Sequence, residues 1–216
     1  PVVPHSRIMA EMDSGKSAVF NGINSYIETS TKFTPNLMSF SCWAKTSYST
    51  SIYTIFGARL STSGDYRGIQ FGVQSGKIYN RFDNGAGNRG SANSLTEDIA
   101  TDGSWMHLAF TIDVSNGEAK VYRNGSLLYT ETISGTIDAN LNQAIGRVNG
   151  PDAASYWSGG LDDIRIYSDV LTSTEVAYIA NNDTSNIPSD NLTAHYKLDG
   201  NVNDQSELYD GTPHSI

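Results

Sequence analysis

Apolar and polar residues alternate with a period of two along most of this chain, and that is the period of a strand with one dry face and one wet face. In residues 38–45, Met38, Phe40, Cys42 and Ala44 point one way while Ser39, Ser41, Trp43 and Lys45 point the other. Residues 67–74 place Ile69, Phe71 and Val73 on one face. Residues 104–113 place Met106, Leu108, Phe110 and Ile112 inward against Trp105, His107 and Thr111. Near the end, Leu192, Ala194, Tyr196 and Leu198 oppose Thr193, His195 and Lys197. These runs predict half-buried antiparallel strands.

The turns agree. Asn-Gly and Asp-Gly steps supply the positive φ of tight hairpin turns, and they occur at Asn21-Gly22, Asn84-Gly85, Asn116-Gly117, Asn124-Gly125 and Asp199-Gly200. Helical spacing occurs once, where Thr172 and Glu175 form a capping box ahead of Val176, Ile179 and Ala180, and Asn181 and Asn182 supply the stop. A helix over 172–182 is too short to stand alone, so it must lie on a sheet. The prediction is an all-β, two-sheet antiparallel sandwich with one short helix.

At 216 residues the chain is long enough to bury a sizeable core without disulfide or metal staples. Its net charge of -9 repels a polyanion, which argues against nucleic acid and suits a neutral ligand, a cationic one or bound calcium. The lone Cys42 permits no internal disulfide and alternates with core residues, as a small buried hydrophobe does. No apolar run approaches the roughly 18 residues of a membrane span, and the opening residues lack a charged-then-apolar signal pattern.

Residues 159–179 (GGLDDIRIYSDVLTSTEVAYI) resemble the closing signature of the laminin-G-like, concanavalin A-like lectin/glucanase jelly rolls. That signature has Gly-Gly, an apolar residue, two acids, a strand ending in Tyr, then Leu-Ser/Thr-x-x-Glu opening a short helix. Residues 15–28 resemble the family's early strand pair. Residues 104–113 and 120–128 resemble its central Trp-x-His strand and the hairpin that follows. Residues 194–212 (AHYKLDGNVNDQSELYDGT) resemble its opening strand and loop, yet they stand after the closing helix. The expectation is one jelly roll over residues 1–216 with residues 191–216 supplying the family's first strand. Either the domain is permuted, or the chain is one period of a tandem array. Pro4-His5-Ser6 and Pro213-His214-Ser215 recur at a spacing of 209 (213 minus 4), as an array would give. In both cases the tail closes the roll on its own chain or on an identical neighbour, with the polar stretch 181–191 as linker.

Some jelly rolls of this class cut glycans with carboxylates in the pattern E-x-D-x-x-E, two acids of one strand face serving as nucleophile and general acid. The nearest match has Glu11 and Asp13 but Lys16 in the last place, and no G-x-S-x-G elbow occurs, so the chain reads as non-catalytic. His107, beside Trp105, reads as a packing residue rather than a base. Calcium needs six or more hard oxygens, and residues 160–167 and 198–211 are rich in them. The resemblance implies a structural calcium held by Asp162, with Asp199, Asp204 and Asn21 assisting. The alternative is that Asp162 and Asp163 cap backbone donors and pair with Arg165.

A sugar site needs an aromatic plane and bidentate polar groups, and loops flanking the middle strands offer both. The candidates are Tyr66, Arg67, Tyr79, Arg81, Asp83, Asn88, Tyr156 and Trp157. Tyr79 and Arg81 share a face opposite Ile78, Asn80 and Phe82, whereas Tyr156 and Trp157 also suit a plug in the end of the sandwich. The reading that follows is a calcium-stabilised, glycan-binding lectin-like domain of a secreted or cell-surface protein. Its alternative is a structural block of a surface layer, adhesin or virion appendage.

Overall fold

In the computed structural model, the described residues are 16–48, 52–62, 65–84, 93–98, 102–137, 140–150 and 155–216. Two antiparallel sheets of seven strands each pack face to face as a jelly roll. The first runs β1 (Ala18–Asn21), β12 (Ser158–Tyr167), β3 (Leu37–Lys45), β8 (Met106–Asp113), β9 (Glu118–Arg123), β10 (Ser126–Thr132), and β13 (Leu192–Tyr196) also pairs with β12. The second runs β14 (Gly211–His214), β2 (Tyr26–Thr29), β11 (Ala144–Ile145), β4 (Ile52–Thr62), β5 (Asp65–Gln74), β6 (Lys77–Asn84), β7 (Asn93–Asp98). Strands β1 and β13 share one edge of β12, opposite residues 158–161 and 164–167 respectively. The tail of this chain thus adds a strand to each sheet.

The dry faces are those that the alternation marks. Met38, Phe40, Cys42 and Ala44 from β3, Ile69, Phe71 and Val73 from β5, and Met106, Leu108, Phe110 and Ile112 from β8 all enter one core. Its centre is four phenylalanines. Phe40 and Phe110 are cross-strand partners in the first sheet, and Phe56 and Phe71 are partners in the second. Across the sandwich Phe40 stacks on Phe56 at 4.6 Å between centroids, and Phe71 on Phe110 at 4.3 Å. Each ring therefore has a partner within its own sheet and another in the facing one, which fixes how the layers sit.

The wet face of the first sheet is drier than alternation suggests. Helix α1 (Ser173–Ala180) covers it with Val176 and Ile179 against Ala109, Tyr122 and Tyr167, so Thr111 on that face is buried. Leu192 joins this outer cluster rather than the main core, because the pairing of β12 with β13 shifts between Ile166 and Tyr167. His107 is fully buried edge-on to Trp43 at 5.6 Å. The helix begins as expected: Thr172 accepts from the Glu175 backbone N–H, and Glu175 accepts from that of Thr172.

Asn124 and Gly125 both take positive φ, 51° and 79°, in the turn from β9 to β10. Glycine is also needed there because a Cβ at residue 125 would lie 3.1 Å from Ala177 Cα on the helix. Gly85 lies outside the described residues. Asp199-Gly200 is not a hairpin turn, since the strands on either side belong to different sheets. The hairpin from β5 to β6 turns on Ser75-Gly76, with φ of 51° and 75°, a pair that the search for Asn-Gly steps passes over.

One buried carboxyl links the layers. The Asn80 side-chain amide donates to Glu131 at 2.7 Å, joining β6 of the second sheet to β10 of the first. Burial pushes the Glu131 carboxyl up to about 7, only partly offset by that hydrogen bond. The folded state therefore holds this proton more tightly than the unfolded chain does. The resulting stability is complete below the ordinary Glu value of about 4.3 and is lost as pH rises through about 7. Denaturant midpoints should fall over that interval, and Glu131→Gln should flatten the fall. Phe71→Ala should cost about 3–5 kcal/mol in the same assay, as removal of a fully buried ring does.

Candidate functional site

The outer face of the second sheet carries a group of rings and polar side chains. Pairing brings Arg81, Gln70, Gly57, Ala144, Glu28 and Thr212 into one row across β6, β5, β4, β11, β2 and β14. The two small residues in the middle, Gly57 and Ala144, are buried and have polar side chains on either side. On one side Asp83 is fully buried, with Arg81 Nε at 2.8 Å and Arg59 Nη1 at 3.9 Å from its carboxylate. Burial opposes the charge on Arg81, and the hydrogen bond and charge of Asp83 more than restore it, holding its pKa above the ordinary value. Gln70 donates to Thr54 at 2.8 Å and to Ser155 at 3.1 Å, tying the floor to the segment that leads into Tyr156.

On the other side stands a stack. His214 on β14 is the cross-strand partner of Tyr26 on β2, and their rings lie parallel at 4.1 Å. The guanidinium of Arg147 covers the opposite face of Tyr26 at 3.7 Å, and its Nη2 donates to Asn149 at 3.0 Å. Tyr156 stands 6.2 Å from Tyr26, and all four of these residues are partly exposed. Fixed rings and fixed donors side by side can take the apolar face and the hydroxyls of a polar ligand.

The sequence candidates divide accordingly. Arg81, Asp83 and Tyr79 do lie on this outer face, since Ile78 and Phe82 enter the core. Tyr79 is only 3% exposed, however, so its ring offers little surface. Tyr156 is at the site. Trp157 is not a platform: it is 0% exposed within the main core, its indole N–H bonded to the Gly160 carbonyl at 3.3 Å. Arg67 is exposed at the end of β5, on the same side of the strand as Ile69. Tyr66 lies on β5 opposite Ser61, and Asn88 is outside the described residues, as are Glu11 and Asp13. Tyr26, Arg147 and His214 carry no sequence signal of their own; only strand register joins them.

The acids expected to hold calcium do not form one site. A bulge in β12 between Asp162 and Arg165 puts Asp163 at φ 43°. Asp163 there accepts from Arg165 at 3.0 Å and meets His195 Nε2 at 2.6 Å. These groups line a cavity of about 250 Å³ with Asp162, Lys197 and Asp199. Asp204 instead accepts from the His195 backbone N–H at 2.6 Å and from the Ser206 hydroxyl. Asn21 accepts from Ile23, Asn24 and Ser25 backbone N–H groups at 2.9, 3.0 and 3.1 Å. It pairs with Ser158, four residues along β12 from Asp162, roughly 13 Å away at strand rise. Among the described residues no three carboxylate, imidazole or thiolate groups converge as metal ligands. Of the three acids that line this cavity, Asp163 is taken by Arg165 and His195, which leaves Asp162 and Asp199 beside Lys197.

The alternative pairing with Arg165 is the one observed, at Asp163. Burial pushes that carboxyl up, but the His195 hydrogen bond and the charges of Arg165 and His195 outweigh it and hold it well below the carboxylate range. A depressed acid stabilises the fold above its unfolded value and loses that contribution as pH falls toward its folded one. Asp163→Asn should therefore lower stability by about 3 kcal/mol at neutral pH, with the gap to the parent closing below about pH 3.9. Paired urea titrations across pH measure it.

A protein from Bacteroides ovatus, assigned as carbohydrate binding, superposes with a TM-score of 0.68 at 19% identity over 92% of this chain; the chain spans 57% of that structure. The family 40 carbohydrate-binding module of a Ruminococcus gnavus sialidase gives 0.62 at 17% identity, covering 77% of this chain and 97% of that one. Domain 4 of the arabinanase AbnA from Geobacillus stearothermophilus gives 0.56 at 27% identity, covering 76% of each. No curated protein matches the chain. The model of the laminin G-type family described as the concanavalin A-like lectin/glucanases superfamily matches residues 21–177, which is most of the sequence, and the chain belongs to that superfamily.

Proposed function

We propose that this chain is a non-catalytic carbohydrate-binding domain whose ligand lies on the outer face of the second sheet. The observation that carries the reading is the coincidence of the Tyr26 stack, Tyr156 and the Gln70–Ser155 network on one sheet face. The likeness to binding modules supports it: the arabinanase domain was solved with arabinotriose, and the sialidase module with sialyllactose. The arabinanase is an extracellular enzyme, which supports a secreted or surface location here as well. Arg81 and Asp83 act beneath the surface, holding the floor rigid, while Tyr156 meets the sugar. This reading of the sheet face does not depend on calcium.

Binding is weak per site and gains by repetition if copies are linked. A glycan array probed with the full chain should give saturable signals. Tyr156→Ala should weaken them about 3–10-fold, the size of one lost aromatic contact. Silence across a broad array would favour a structural block of a surface assembly.

A further inference from the structure

Arg147 differs from Arg59, Arg81 and Arg165, each of which has a carboxylate partner. Arg59 and Arg81 share Asp83, and Arg165 has Asp163. Arg147 is partly exposed, and no carboxylate of the described residues lies within ion-pair distance of it. The nearby carboxylate on β2, Glu28, is directed to His214, 3.9 Å from Nε2. The Nε–H of Arg147 is buried and unpaired. Meanwhile the guanidinium plane is locked by Tyr26 at 3.7 Å and by Asn149 at 3.0 Å. A chain with net charge -9 has no shortage of acids to neutralise a cation, yet among the described residues none pairs with this one, which is held flat on Tyr26.

Resting on the carbohydrate reading above, we infer that the ligand is an acidic glycan and that Arg147 binds its carboxylate. A guanidinium presents parallel donors that match a carboxylate in a fork, and stacking on Tyr26 has already restricted its rotamers before the ligand arrives. The remainder of the sugar then lies toward Tyr156 and the Ser155–Gln70 network. The acidic surface elsewhere repels such a ligand at long range, so recognition depends on short contacts, which salt screens less than it screens that repulsion.

The carboxylate can come from a sialic acid or a uronic acid, and titration calorimetry separates them. The full chain is titrated with 3′-sialyllactose, trigalacturonate, lactose and arabinotriose. At least one acidic sugar should bind about tenfold or more tighter than both neutral ones. Arg147→Gln should abolish that preference, while Arg147→Lys should keep part of it, with unchanged circular dichroism in each. Equal binding of neutral and acidic sugars, or a preference that survives Arg147→Gln, overturns the inference and leaves the carbohydrate reading standing. Absence of binding to all four, together with a silent glycan array, overturns both.

Discussion

The stacking of Phe40 on Phe56 and of Phe71 on Phe110 is the contact on which the other placements depend. Sheets slide easily over a featureless apolar interface, whereas four rings paired within and between layers admit one offset. Phe56 sits just past a bulge in the pairing of β4 with β5, so the ring pair also pins the register of those strands. That register sets the row from Arg81 to Thr212 on the opposite side. The inner faces thus determine which outer residues become neighbours.

Polar groups inside the fold fix position as well as affecting stability. Glu131 loses solvation that Asn80 offsets only in part, whereas Arg165 and His195 more than offset the burial of Asp163. What they give is direction. The Asp163 cluster joins β12 to β13, and β13 leads into the segment that carries His214 to the stack on Tyr26. In the same way Asp83 holds two arginines on the outer face of the second sheet.

Much of this was open to a reading of residues alone. The core faces of β3, β5 and β8 follow from the pleat, because a strand has no other way to place Phe40, Phe71 and Phe110 together with their i±2 neighbours. Thr172 and Glu175 announce the helix because their hydrogen bonds are local. Long-range register is different: nothing near Tyr26 in sequence marks Arg147 or His214 as its partners, since pairing across β2, β11 and β14 brings them together. A bulge at Asp163 was equally silent, as two adjacent acids read the same in a regular strand. Trp157 was ambiguous because an aromatic ahead of a strand packs inward or outward depending on the loop, and here the core takes it.

The central claim is that ligand is taken on the outer face of the second sheet and not in the polar cavity of the first. Amide chemical shifts of the labelled full chain, followed while a bound oligosaccharide is titrated in, test this directly. The expected result is a contiguous set of shifts at Tyr26, Gln70, Arg147, Ser155 and Tyr156 with Asp163, His195 and Lys197 unmoved. Shifts confined to the cavity around Asp163, or scattered evenly over both sheets, would contradict it.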